Sequence, residues 1–121
     1  MPSMQPLTII VPTADPARFH AALSLAAAHA ALDRPTRLFL QAEAVILVRT
    51  PIAAPFDDRY AAAGLPKLAA LLEESRALGV LVIACQSGLV LAGMTAAELP
   101  PGIETGGLID LLRGEGQILL A

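Results

Sequence analysis

The only cysteine of the 121-residue chain, Cys85, stands in GVLVIACQSGLVLAG, residues 79–93. It directly follows the apolar, β-branched run Val80–Ala84 and directly precedes a helix expected to start near Gln86. A thiol at a helix N-terminus meets the positive end of the dipole and unpaired N–H groups, which favour the thiolate, the nucleophile of sulfur chemistry. Free cysteine is also among the most buried residue types and often packs as a small hydrophobe. On residue chemistry alone the two readings stand level. Gln86 and Ser87 offer donors beside the thiol, although polar residues commonly open a helix as caps. Glu43, at the end of an expected second strand, can share a crevice with Cys85 as a proton acceptor or partner-positioning group. A close anion there would raise the thiol pKa and oppose the dipole. A surface or capping carboxylate is the plainer alternative for Glu43.

Other groups carry less chemistry. One cysteine makes no internal disulfide, and no CxxC or Cys/His pattern points to zinc, so no metal and no cofactor are expected. His20 and His29 lie nine residues apart on an expected helix, hence on opposite faces, and are read as solvent-facing or interface residues rather than as a shared metal site. Asp57-Asp58-Arg59 reads as a solvated turn in a proline-bearing loop, residues 50–64, and Phe56 and Tyr60 would let that loop cover the crevice. Gly106-Gly107 ahead of a helix could bind an anion, but without a longer glycine fingerprint or a P-loop lysine a tight strand-to-helix turn suffices. No Ser–His–Asp pattern argues for hydrolysis.

The elements that must position these residues follow from the apolar pattern. Strands are expected at Leu7–Val11, Thr36–Gln41, Val80–Ala84, Ile103–Thr105 and Gln117–Leu120. Helices are expected from Asp15-Pro16, a cap with proline at the first position, to about Leu32, and over Pro66–Leu78, Gln86–Gly93 and Gly107–Arg113. Ala44–Val48 reads as a turn into a short helix, and Thr95–Glu98 has capping-box spacing. Alternating apolar strands and helices imply an α/β fold in one domain over residues 1–121, with a mostly parallel sheet of about five strands covered on both faces. The uncharged run Ala77–Ala97 is long enough to span a bilayer, for which ~20 residues are needed. Its β-branched start, Gln86, Ser87 and the glycines Gly79, Gly88 and Gly93 fit strand, turn and buried helix better.

Composition narrows the class. The chain is 55% apolar but only 3% aromatic, with 8 basic and 11 acidic side chains and a net charge of −3. With no basic cluster, nucleic acid and anionic membranes are poor partners. So much apolar surface on so small a domain points to a homo-oligomer. MPSMQPLTIIVPT lacks the pattern of a signal peptide, so the cytoplasm is the expected compartment.

Three stretches together resemble the DsrE/DsrF-like family of small sulfur-relay and related proteins: TRLFLQAEAV, with Glu43 past the second strand; ALGVLVIACQSGLVLAGM, with Cys85 and a glycine eight residues on, Gly93; and LPPGIETGGLIDLL. The resemblance implies a three-layer α/β/α sandwich, assembly into trimers or hexamers, and a persulfide on Cys85, since sulfur-carrying members use a cysteine at the matching position. Sulfur-transferring members often carry basic residues just before the glycine matched by Gly93, where this chain has Leu91 and Ala92. The family's C-terminal aspartate and aromatic strand are replaced by GEGQILLA. The reading is therefore a sulfur carrier or sulfurtransferase subunit with Cys85 as acceptor thiol, Glu43, Gln86 and Ser87 around it, and separate donor and acceptor proteins supplying partner thiols. The alternatives are a non-catalytic oligomeric module that binds a small ligand or protein, with Cys85 buried, and a redox sensor that forms sulfenic acid.

Overall fold

The computed structural model describes residues 5–121; the first four residues of the segment read for a leader lie outside the described residues. In chain order the elements are strand β1 (Leu7–Val11), helix α1 (Pro16–Ala31), β2 (Thr36–Leu40), a 3-10 segment (Ala42–Val48), α2 (Asp57–Ala62), α3 (Leu68–Ala77), β3 (Leu81–Cys85), α4 (Gln86–Ala92), a 3-10 turn (Ala96–Glu98), β4 (Glu104–Gly106), α5 (Leu108–Leu112) and β5 (Gln117–Leu120). All five strands pair in parallel in the order β4-β3-β2-β1-β5. The sheet is thus wholly parallel, with helices packed around it as an α/β sandwich.

Side-chain alternation divides the sheet into two faces. Ile9, Val11, Leu38, Leu40, Val82 and Ala84 point into the main core, where α1 brings Phe19, Leu23 and Ala26 and α3 brings Leu68, Leu71 and Leu72. Phe19, Leu23 and Leu72 are fully buried, and truncating any of them to alanine costs on the order of 2–5 kcal/mol. Ser75, on the buried stripe of α3, is tolerated because its hydroxyl donates to the Leu71 carbonyl at 2.7 Å. The opposite face holds a smaller cluster of Ile10, Phe39 and Leu111, with Ile83 and Cys85 against it, covered by the five-residue α5.

Local chemistry explains the element ends. The Asp15 carboxylate accepts from the Ala17 N–H at 2.9 Å ahead of Pro16, so α1 starts where the cap is. β3 lies one residue later than the apolar run suggests, which makes Cys85 its last member. β4 is likewise displaced, to Glu104–Gly106. No helix among the described residues is long and apolar enough to cross a membrane; the uncharged run 77–97 is divided among the end of α3, β3, α4 and the 3-10 turn, with their connections.

Two expectations are corrected here. The stretch 50–64 is not all loop: it contains α2, and Asp57 is no mere solvated turn residue, because its carboxylate accepts from Ala54 N at 2.9 Å and Leu68 N at 3.0 Å. It thereby ties α2 to the start of α3. His20 does not face solvent, and His29 is half-buried. His20 is buried and donates Nε2–H to the Pro66 carbonyl at 2.9 Å, edge-on to Phe56 and Tyr60. His29 Nδ1 donates to Thr36 Oγ1 at 2.8 Å, because the Thr36 hydroxyl hydrogen is already given to Arg34 O. Phe56 and Tyr60 are held on α1 by His20 and do not line the thiol's cleft, so the loop is not its cover.

The backbone hydrogen bond from Leu68, then that from Ala54, hold the Asp57 carboxyl below the usual carboxylate range, with lesser help from Lys67 and His20. A depressed folded-state pKa contributes stability above the unfolded pKa and loses it as pH falls through the folded one. Urea unfolding of the wild type is expected to weaken more steeply below about pH 4 than that of Asp57→Asn, which cannot titrate. Parallel stability–pH curves would contradict this role for Asp57.

Candidate functional site

Cys85 is at once the end of β3 and the N-cap of α4, with extended backbone. By alternation with Leu81 and Ile83 its side chain leaves the sheet on the α5 face. The sulfur is half-buried and accepts the Gly88 N–H at 3.3 Å, so one of the unpaired donors opening α4 is satisfied by sulfur rather than by an oxygen cap. It lines an open cleft of about 340 Å³ at the carboxyl edge of the sheet, with Gln41, Ala42, Ser87, Gly88, Leu91, Gly107 and Leu108 as the other walls. In open parallel sheets that edge is where ligands collect. No Lys or Arg lines the cleft, so an anion on the sulfur is supported by peptide and hydroxyl dipoles alone.

Of the residues expected around the thiol, the structure brings Ser87 into the cleft and leaves Gln86 exposed outside its lining. Glu43 does not share the cleft. It is exposed and lines a neighbouring hollow of about 280 Å³ with Pro12, Thr13 and Ala14, and Ala42 forms a wall of both spaces. Another hollow, of about 300 Å³, lies under α5, where Arg37 donates to Thr8 Oγ1 and to the Leu111 carbonyl, each at 3.1 Å. Gly106-Gly107 forms the strand-to-helix corner between that hollow and the cleft. Among the described residues no three His, Cys, Asp or Glu side chains converge to hold a metal ion.

Two residues that shape the cleft escape sequence reasoning. Gly88 packs so tightly on the 3-10 segment that a Cβ would run into the Ala42 carbonyl and stand 3.0 Å from Val45 Cγ1. Ala42 itself has φ +51, a left-handed conformation rare for a residue with a Cβ. The spacing from Cys85 to Gly88 does carry a signal, because an N-cap side chain accepts from the N–H three residues on. The collision with Ala42, 46 positions away, has none. Gly93, by contrast, has a purely local reason: φ +65 at the end of α4, where its N–H closes onto the Val90 carbonyl.

A parallel five-stranded α/β domain with a cysteine at a strand-to-helix junction defines the class. The chain belongs to the DsrE/DsrF-like family, whose model matches residues 6–113. Its fold is similar to that of the YchN protein from E. coli, with a TM-score of 0.71 at 20% identity over 97% of this chain and 99% of that one. It is also similar to MTH1491, a protein of unknown function from Methanobacterium thermoautotrophicum, with a TM-score of 0.69 at 16% identity over the same shares. At these identities the likeness is one of fold. No curated protein matches the chain.

Gly88→Ala is expected to lower unfolding stability by about 1–3 kcal/mol in urea, the cost of forcing a methyl into a packed contact. At Gly107, where an added Cβ meets nothing within 4 Å, alanine is expected to change stability by no more than about 0.5 kcal/mol. Equal effects of the two substitutions would show that the contact between α4 and the 3-10 segment does not set the cleft.

Proposed function

We propose that this protein is a sulfur carrier of the sulfur-relay type, holding a persulfide on Cys85, working in the cytoplasm as a homo-oligomer (a trimer or hexamer) between separate donor and acceptor proteins. The observation that carries the reading is the placement of the sulfur: half-buried, on an open cleft at the carboxyl edge of a parallel sheet, with a peptide N–H directed at it. In the loading step the Cys85 thiolate attacks the outer sulfur of a donor persulfide. A new S–S bond forms at Cys85, the donor's S–S bond breaks, and the donor leaves as a thiolate. In unloading, an acceptor thiolate attacks the outer sulfur and Cys85 departs as the thiolate, so no external oxidant or reductant is consumed. Leu91 and Leu108 give the cleft apolar walls, and Ser87 adds a hydroxyl to its lining. With Leu91 and Ala92 in place of basic residues, the Gly88 N–H is the support the site provides.

A second reading has its own observation. Cys85 packs against both apolar clusters at once, as a small hydrophobe filling the seam between them would. In that case the domain is a non-catalytic oligomeric binding module and Glu43, Gln86 and Ser87 are surface residues. Thiol labelling of the folded protein across pH separates the two: rapid modification supports the carrier, and inertness until denaturation supports the module.

The decisive measurement is intact mass after incubation with a cysteine desulfurase and cysteine. The wild type is expected to gain one sulfur atom, reversibly with a thiol reductant, and Cys85→Ser to gain none. An unchanged wild-type mass would end the carrier reading.

A further inference from the structure

The least protected apolar surface lies along β5. A parallel strand is normally covered on both faces, yet every residue from Gln117 to Leu120 is exposed. Ile118 and Leu120 stand on the face of Ile10 and are 53% and 68% exposed. On that same side α5, anchored on Ile10 and Phe39 by Leu111, leaves Ile109 and Leu112 to solvent. On the other face Leu119 and Leu25 line an apolar groove of about 220 Å³. The backbone repeats the pattern. Gln117 N donates to Pro6 O and Ala121 N to Ile10 O, both inward toward β1. The alternating residues Ile118 and Leu120 therefore send their N–H and C=O groups outward, to an edge of the sheet that no strand among the described residues pairs. An apolar edge with free backbone groups is a template for another strand.

We propose that β5 pairs edge to edge with β5 of a second copy of this chain across a two-fold axis, joining two five-stranded sheets into one. This rests on the reading that the chain assembles as a homo-oligomer. A two-fold axis brings the two strands together antiparallel and sets the same patch against itself. No charged residue falls within Gln117–Leu120, so the pairing opposes no like charges. On the α5 side of this edge Ile109, Leu112, Ile118 and Leu120 are 74%, 53%, 53% and 68% exposed, an apolar patch on the order of 400–500 Å² per protomer, toward the upper end of what a free monomer shows. With a polar rim this approaches the ~800 Å² per partner of a standard interface. Of a trimer and a hexamer, only the hexamer contains two-fold axes, so the pairing requires an even-numbered assembly.

The test is light scattering on the full chain after size exclusion. Wild type is expected at an even subunit number. Ile118→Lys, and Ile118→Pro, which removes one outward N–H while sparing the inward bonds, are each expected to fall to half that number with unchanged far-UV circular dichroism. Leu32→Asp, an exposed apolar position at the far end of α1, is expected to leave the assembly intact. An odd-numbered wild-type assembly, or Ile118 variants that keep wild-type mass, would overturn the pairing while leaving oligomerisation standing. A wild-type monomer at all concentrations would overturn both. Should the variants fail to fold, amide exchange on the unmodified chain decides: the Ile118 and Leu120 amides are expected to be protected in the assembled state, and fast exchange there overturns the proposal.

Discussion

The close contact between Gly88 and the carbonyl of Ala42 is the constraint on which the geometry around Cys85 depends. It lets α4 lie directly on the 3-10 segment that follows β2, so that two consecutive strand ends share one wall. The same glycine donates its N–H to the Cys85 sulfur. A side chain there would have to separate α4 from the 3-10 segment or tilt it away from β3, and the thiol would lose its donor or its cleft. The left-handed backbone at Ala42 is the counterpart on the other side of the contact, a local cost borne where its carbonyl meets Gly88.

The two faces of the sheet are unequally sealed, and the molecule's properties divide along that line. α1 and α3 close one face with long alanine- and leucine-rich helices, whose small side chains let the backbones approach the sheet. The other face has only α5, five residues held by the Leu111 side chain and by the Arg37 guanidinium on the Leu111 carbonyl. The face that carries the thiol is also the one with the hollow under α5 and the exposed Ile109 and Leu112. Most of the buried core lies on one side of the sheet, and the Cys85 side chain leaves the sheet on the side with less packing.

Much of this was legible in the linear order of residues. Apolar runs mark all five strands, β3 and β4 one residue early, and the Asp15-Pro16 start of α1 and the Gly79 and Gly93 stops follow from local backbone preferences. Membership of the DsrE/DsrF-like family was legible from three stretches taken together, around Glu43, around Cys85 and over LPPGIETGGLIDLL. The burial of His20 is not legible there, because helical periodicity places a residue on a face without saying what covers it. His20 is buried by Phe56 and Tyr60, which arrive from 36 and 40 positions away along a segment with the composition of a loop. Asp57 was misread for a related reason: one of its two partners, the Leu68 N–H, lies eleven positions on and meets it only when α2 folds back onto α3.

By itself, then, the order of residues determined the alternation of strands and helices, their caps, and the address of Cys85 at a strand-to-helix junction, because each follows from forces acting within a few neighbouring residues. Tertiary structure alone decided that Ser87 joins the thiol in its cleft while Glu43 falls on the far side of Ala42, that Gly88 must lack a side chain, and that β5 ends as a bare edge. Those outcomes depend on which backbones approach one another across strands and across dozens of intervening residues. No local pattern encodes that distance.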